Sequence, residues 1–212
     1  MPRLRNRWLL FLASLSMFSC VGADSRISFN KDGSGTVKIE YRLSGELENL
    51  GKLDGNDNAP PLPAGGKDLE RTAARIEGLR LLSQSSIMEG KDRILRARLA
   101  FSSPRALERF FDASGQYFRA DFSGRRVSLV FPAAVEMSPE FKELAAGALE
   151  GYEFFLAFSM PQPVRVNWTG ENGEAAGQVP GTCSVKGSTV EYRTSMADIL
   201  FLDSGIRLDI EW

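Results

Sequence analysis

Hydrophobic and polar positions alternate with a period of two along much of this chain and switch to a period of 3.6 in three places. Ile27 and Phe29 lead into Lys31-Asp32-Gly33-Ser34-Gly35, after which Val37, Ile39, Tyr41 and Leu43 alternate with polar residues. Two such runs about a glycine-rich stretch predict a β-hairpin. Leu79 to Met88 and Ile94 to Phe101 predict a second strand pair, turning at Glu89-Gly90-Lys91-Asp92. Tyr117 to Phe122 and Val127 to Phe131 predict a third pair, about Ser123-Gly124-Arg125. Tyr152 to Phe158, Val164 to Trp168, Thr189 to Thr194 and Ile206 to Trp212 bring the total to about nine or ten strands, with turns between Gly170 and Gly187.

The helical period places Leu69, Ala73 and Ile76 on one face, with Asp68 as N-cap and Gly78 as stop. Ser103-Pro104 and Ser138-Pro139 repeat one start signal, a serine cap followed by proline at the first helical position. The first of these helices presents Leu107, Phe110 and Phe111, and the second Phe141, Leu144, Ala145 and Ala148, ending at Gly151. Strands joined by short hairpins, with helices returned by glycine caps, predict an α+β domain: a mainly antiparallel, curved β-sheet with about three helices on one face.

Ahead of this pattern stands a segment of another kind. Arg3, Arg5 and Arg7 precede an apolar run from Trp8 to Phe18, then Ser19-Cys20. This is the order of a bacterial export signal, and the run is about half of the 20 or so residues needed to cross a bilayer. Met17-Phe18-Ser19-Cys20 resembles a lipoprotein signal, in which diacylglyceryl, carrying acyl chains such as palmitate, is joined to the thiol of Cys20 and cleavage leaves that cysteine first. Cleavage after Val21-Gly22-Ala23, releasing a soluble protein from Asp24, is the competing reading. On the lipoprotein reading, residues 1–19 are a signal peptide, 20–26 a tether, and 27–212 one domain with a Gly/Pro-rich loop at 45–66. That domain lies outside the cytoplasm, anchored in the cell membrane or the outer membrane.

Composition narrows the chemistry. The 212 residues contain no histidine, which removes the usual general base, zinc ligand and partner of a serine or cysteine nucleophile. With Cys20 acylated, Cys183 is the only other cysteine and has no disulfide partner. Net charge falls from −1 to −4 when Arg3, Arg5 and Arg7 leave with the leader, a poor match for nucleic acid. Ser28-Phe29-Asn30-Lys31 has Ser-x-x-Lys spacing but lies on a strand, where residues three apart point to opposite faces. Asn30 to Val37 imitates the start of a calcium loop, but Tyr41 stands where a bidentate glutamate is required, so a backbone turn accounts for the same letters. Asp54, Asn56 and Asn58 form a weaker match, without the central glycine. Cys183 reads as a small residue in a Gly-rich turn. No metal or cofactor is expected. The aromatic residues between Phe101 and Phe158 either fill a helix-on-sheet core or line a cavity or exposed patch.

The Asp32-Gly33-Ser34-Gly35 hairpin, the Ile76-Glu77-Gly78-Leu79 junction, the Pro161 to Val166 strand entry followed by Asn172-Gly173, and a closing strand ending at Trp212 together resemble the LppM-like family of bacterial lipoproteins and domains. The resemblance covers most of 27–212, with 45–66 as an insertion. It implies a helix-covered curved sheet and an envelope role in lipid or glycolipid binding, and it brings no catalytic residues. The expected function is therefore a membrane-anchored, non-catalytic binding or interaction module whose partners are the membrane itself and a lipid or an envelope protein. The alternative is an envelope hydrolase using two carboxylates among Asp68, Glu70, Asp112, Asp121, Glu136, Glu140 and Glu143, which must converge to about 5–10 Å.

Overall fold

The computed structural model describes residues 21–44, 66–113, 117–134 and 138–212. Cys20, the leader, the 45–65 stretch and Glu136 lie outside the described residues, as do the side chains of Asp68, Phe141, Leu144, Ala145 and Ala148.

The alternating runs form β1 (Val21–Phe29), β2 (Gly35–Ser44), β3 (Leu79–Glu89), β4 (Asp92–Phe101), β5 (Tyr117–Asp121), β6 (Arg126–Phe131), β7 (Glu153–Ser159), β8 (Arg165–Gly170), β9 (Thr182–Lys186), β10 (Thr189–Ser195) and β11 (Ile206–Glu211). Three ten-residue helices, α1 (Gly66–Arg75), α2 (Pro104–Ala113) and α3 (Pro139–Ala148), and a short α4 (Met196–Leu200) complete the α+β fold. The strands divide between a seven-stranded sheet, ordered β3-β4-β2-β1-β7-β10-β9, and a four-stranded sheet, ordered β5-β6-β11-β8. Every pairing is antiparallel except β1 with β7.

A single core joins the inner faces of both sheets and the helices. Ile27, Val37, Ile39, Leu99, Leu156, Phe158, Val190 and Tyr192 from the larger sheet meet Val127, Leu129, Phe131, Leu208 and Ile210 from the smaller one. Leu69, Ala73 and Ile76 of the first helical segment and Leu107, Phe110 and Phe111 of α2 join them, as their spacing predicts. The Ser103 hydroxyl accepts from the Ala106 amide at 3.3 Å and caps α2. Gly78 turns the chain out of the α1 segment at φ +83°, where a Cβ would stand 2.4 Å from the Ser102 hydroxyl.

Three expectations are corrected, and one short helix is added. Residues 21–26 are not a tether: β1 starts at Val21, and Val21, Gly22 and Ala23 pair with Leu43, Arg42 and Tyr41. Cleavage after Ala23 would cut three paired residues from that strand. Asp68 lies in the first turn of α1, which begins at Gly66, and so is not its cap. Cys183 belongs to β9, a strand hidden from sequence because all its residues are exposed and Gly181 and Gly187 flank it. α4 escaped notice because it is a single turn, capped by the Ser195 hydroxyl, which accepts from the Asp198 amide at 3.0 Å.

Candidate ligand-facing surface

The residues of β1, β2 and β4 that alternate with the core positions include the exposed Arg26, Lys38 and Arg98. The strand register orders these alternate residues into rows. In one row Arg98 on β4 stands opposite Lys38 on β2, and Lys38 stands opposite Arg26 on β1. Like charges directly opposed across strands are destabilising, yet three occur here in succession. Arg26 donates to Asp24 at 3.0 and 2.8 Å, and this hydrogen bond raises its already high pKa. Among the described residues, no carboxylate lies within ion-pair distance of Lys38 or Arg98.

The neighbouring row holds Arg96, Glu40, Asp24, Phe155 and Arg193. Arg96 donates to Glu40 at 2.7 Å and Arg193 to Glu153 at 3.0 Å. Arg26 and Arg193 also lie over the Phe155 ring, at 4.8 and 5.0 Å from its centroid, and bury this outward-pointing aromatic. On the other side of the cationic row, Ala100, Thr36, Ser28, Ser159 and Thr189 run in register across five strands, with Arg80 and Lys186 at the ends. This small, hydroxyl-rich band ends at the β9–β10 edge in a concavity of about 220 Å³ lined by Ser184, Lys186, Thr189 and Glu191. Ser28 thus sits on the outer face, whereas Lys31 belongs to the turn.

The remaining candidate residues are accounted for separately. Asp32 accepts from the Ser34 amide at 3.0 Å and the Ser34 hydroxyl at 2.7 Å. Its carboxyl is held below the usual range by those bonds, as suits a turn residue. Asp112 pairs with Arg119 at 2.8 Å, and Asp121 accepts from Ser123 and Gly124 at 2.7 and 2.9 Å. Glu70 is exposed. Glu140 lies in the first turn of α3, where its own amide and Ser138 lower its pKa. Glu143 lines a wide cleft of about 720 Å³ with Asp198 and Asp203, and Lys142 bridges to Asp203 at 3.5 Å. Cys183 is exposed as a residue, and partial desolvation of its thiol pushes the pKa up. Among the described residues no group of three or more His, Cys, Asp or Glu could hold a metal, and no helix is long and apolar enough to cross a membrane.

Sequence reading missed Asp209. Alternation assigns it to the solvent side of β11, yet its side chain is only 2 % exposed, paired with Arg126 at 2.7 Å and accepting from Ser128. Phe101, Phe110, Phe111, Phe131 and Phe158 lie in the core: Phe131 contacts Phe154, Trp168 and Tyr192 at centroid distances of 5.6, 6.4 and 6.0 Å, and Trp168 lies 4.9 Å from Tyr192.

Burial raises Tyr192 and Tyr41 to about 12. Because the folded state favours the neutral phenols, their contribution to stability is complete below pH about 10, the unfolded value, and is lost as pH rises toward about 12. Tyrosinate absorbance at these two positions is therefore expected to appear together with loss of the circular-dichroism signal, above the range of an ordinary phenol. Full ionisation near pH about 10 with the fold intact would contradict the assigned burial.

The fold and surface define an α+β domain of two sheets around one core, with an exposed cationic face. Among solved structures, the chain is similar to the folded domain of Mycobacterium tuberculosis LppM, determined by NMR, with 11% identity, 92% of this chain and 91% of that chain covered, and a TM-score of 0.38. No family model and no curated protein matches the chain.

Proposed function

We propose that this chain is a lipid-anchored envelope module, held outside the cytoplasm by an acylated Cys20, whose outer sheet face binds an anionic lipid or glycolipid headgroup without converting it. The row Arg26, Lys38 and Arg98 carries the reading. Each like-charged pair costs roughly 0.2–1 kcal/mol relative to a neutral one, and a stability cost kept at one place is the mark of a site. A phosphate on this row would receive charge-assisted hydrogen bonds from the guanidinium and ammonium groups, and sugar hydroxyls would lie along the adjacent Thr36, Ser28, Ser159 and Thr189 band.

Lys38→Glu supplies the test because its two expected effects have opposite signs. Converting the row to cation, anion, cation removes two repulsions and adds two attractions, so stability in denaturant titration rises by roughly 0.5–2 kcal/mol. Binding of glycerophosphoinositol to the detergent-solubilised protein falls about tenfold or more and weakens with salt in the parent. Unchanged binding in the variant would remove the row from the site.

A further inference from the structure

The β3–β4 hairpin tip sits at the same end of the sheet as Val21, the residue that follows Cys20, and in the same transverse row. Val21 pairs with Leu43, Leu43 with Arg93, and Arg93 with Met88. Met88 thus lies three strand spacings from Val21, about 14 Å across the sheet and level with it. All residues from Leu82 to Lys91 are exposed, and the tip carries two large apolar side chains, Ile87 at 44 % and Met88 at 60 % exposure. They point to opposite sides of an edge strand, so one partner face cannot cover both.

Charge around the tip fits a bilayer surface. Arg42, Lys91 and Arg93 stand there with Glu89 and Asp92, and the two carboxylates lie 3.8 and 3.6 Å from the Arg42 guanidinium. Cations at headgroup level beside a pair of apolar side chains are the composition of an interfacial contact.

We infer that the β3–β4 hairpin tip, through Ile87 and Met88, is a second contact with the bilayer that holds the anchor. This rests on the reading of Cys20 as acylated. A lipid on Cys20 leaves no slack, because the next residue is already in β1. The chain end of the sheet must therefore meet the membrane, and the tip is part of that end. One contact at Cys20 and one at the tip fix the sheet upright in the plane that contains both. The cationic row, five residues along β1 from Val21, then stands about 17 Å along the strand from the membrane end. That height selects an extended headgroup, such as a glycolipid's, over a phosphate at the bilayer surface.

The test uses the acylated protein in vesicles of phosphatidylethanolamine and phosphatidylglycerol, with tryptophan placed by Met88→Trp or, at the opposite end of β1, by Lys31→Trp. Vesicle co-sedimentation is measured in parallel. An interfacial side chain buries about 5–10 Å into the headgroup boundary, so Met88→Trp is expected to lose about half of its added emission to brominated lipid, and Lys31→Trp none. If the protein co-sediments but neither position is quenched, the tip is not a contact although the anchor stands. Quenching at both positions means the domain lies flat and overturns the upright arrangement. If the protein fails to co-sediment, the acylated Cys20 is lost and the inference falls with it.

Discussion

Cys20→Ser is expected to move this protein from the detergent phase to the aqueous phase of a phase separation, with complete loss of acyl mass from the mature chain. The effect is large because each buried methylene contributes about 0.8 kcal/mol and one acyl chain alone gives only marginal binding, whereas lipoproteins carry two or more. Ile87 and Met88 together cannot replace this, since a fully buried side chain of their size contributes about 1.5–3 kcal/mol. The variant thus separates anchor from contact. A protein that stays in the detergent phase without Cys20, or whose parent begins at Asp24 with no acyl group, would remove the basis for an envelope-tethered module. Cleavage at Asp24 would leave Tyr41, Arg42 and Leu43 paired with β4 alone.

Phe131→Ala is expected to be the most damaging single truncation in the core. Phe131 belongs to the four-stranded sheet, and its ring meets Phe154 and Tyr192 of the seven-stranded sheet as well as Trp168 of its own. Removing a buried phenylalanine ring costs about 3–5 kcal/mol, a large share of the roughly 5–15 kcal/mol that holds a domain folded. At about 2–4 °C per kcal/mol for a chain of this size, the melting temperature falls by about 10 °C or more. Phe131→Leu, which keeps most of the volume, should lose far less. A change below about 1 kcal/mol in Phe131→Ala would mean that the space between the sheets is not filled by this ring.

Those rings also show what could be read from sequence. Phe101, Phe110, Phe111 and Phe158 announced their burial through the period of the segments that carry them, and the structure places all four in the core. The helix starts at Pro104 and Pro139 were legible because serine followed by proline is a local, geometric signal. What stayed hidden depends on which strand lies beside which. The alternation of β1, β2 and β4 puts Arg26, Lys38 and Arg98 on one face, but 60 residues separate Lys38 from Arg98, and only the register opposes them. β9 could not be seen, since a strand exposed on both sides has no hydrophobic period. Asp209 follows the polar rhythm of β11 faithfully, and only the Arg126 and Ser128 partners, more than 80 residues away, account for its burial. Division into two sheets likewise leaves no local trace, because the break in pairing falls in the topology and not in any one segment.

β1 lies in the interior of its sheet, laddered to β2 over nine residues on one side and running parallel to β7 on the other. A pull on the N-terminal end of β1 is therefore delivered along the strand axis to two ladders at once, in shear. An edge strand in that position would open one bond at a time, like a zip. Tension is thus shared across the middle of the domain.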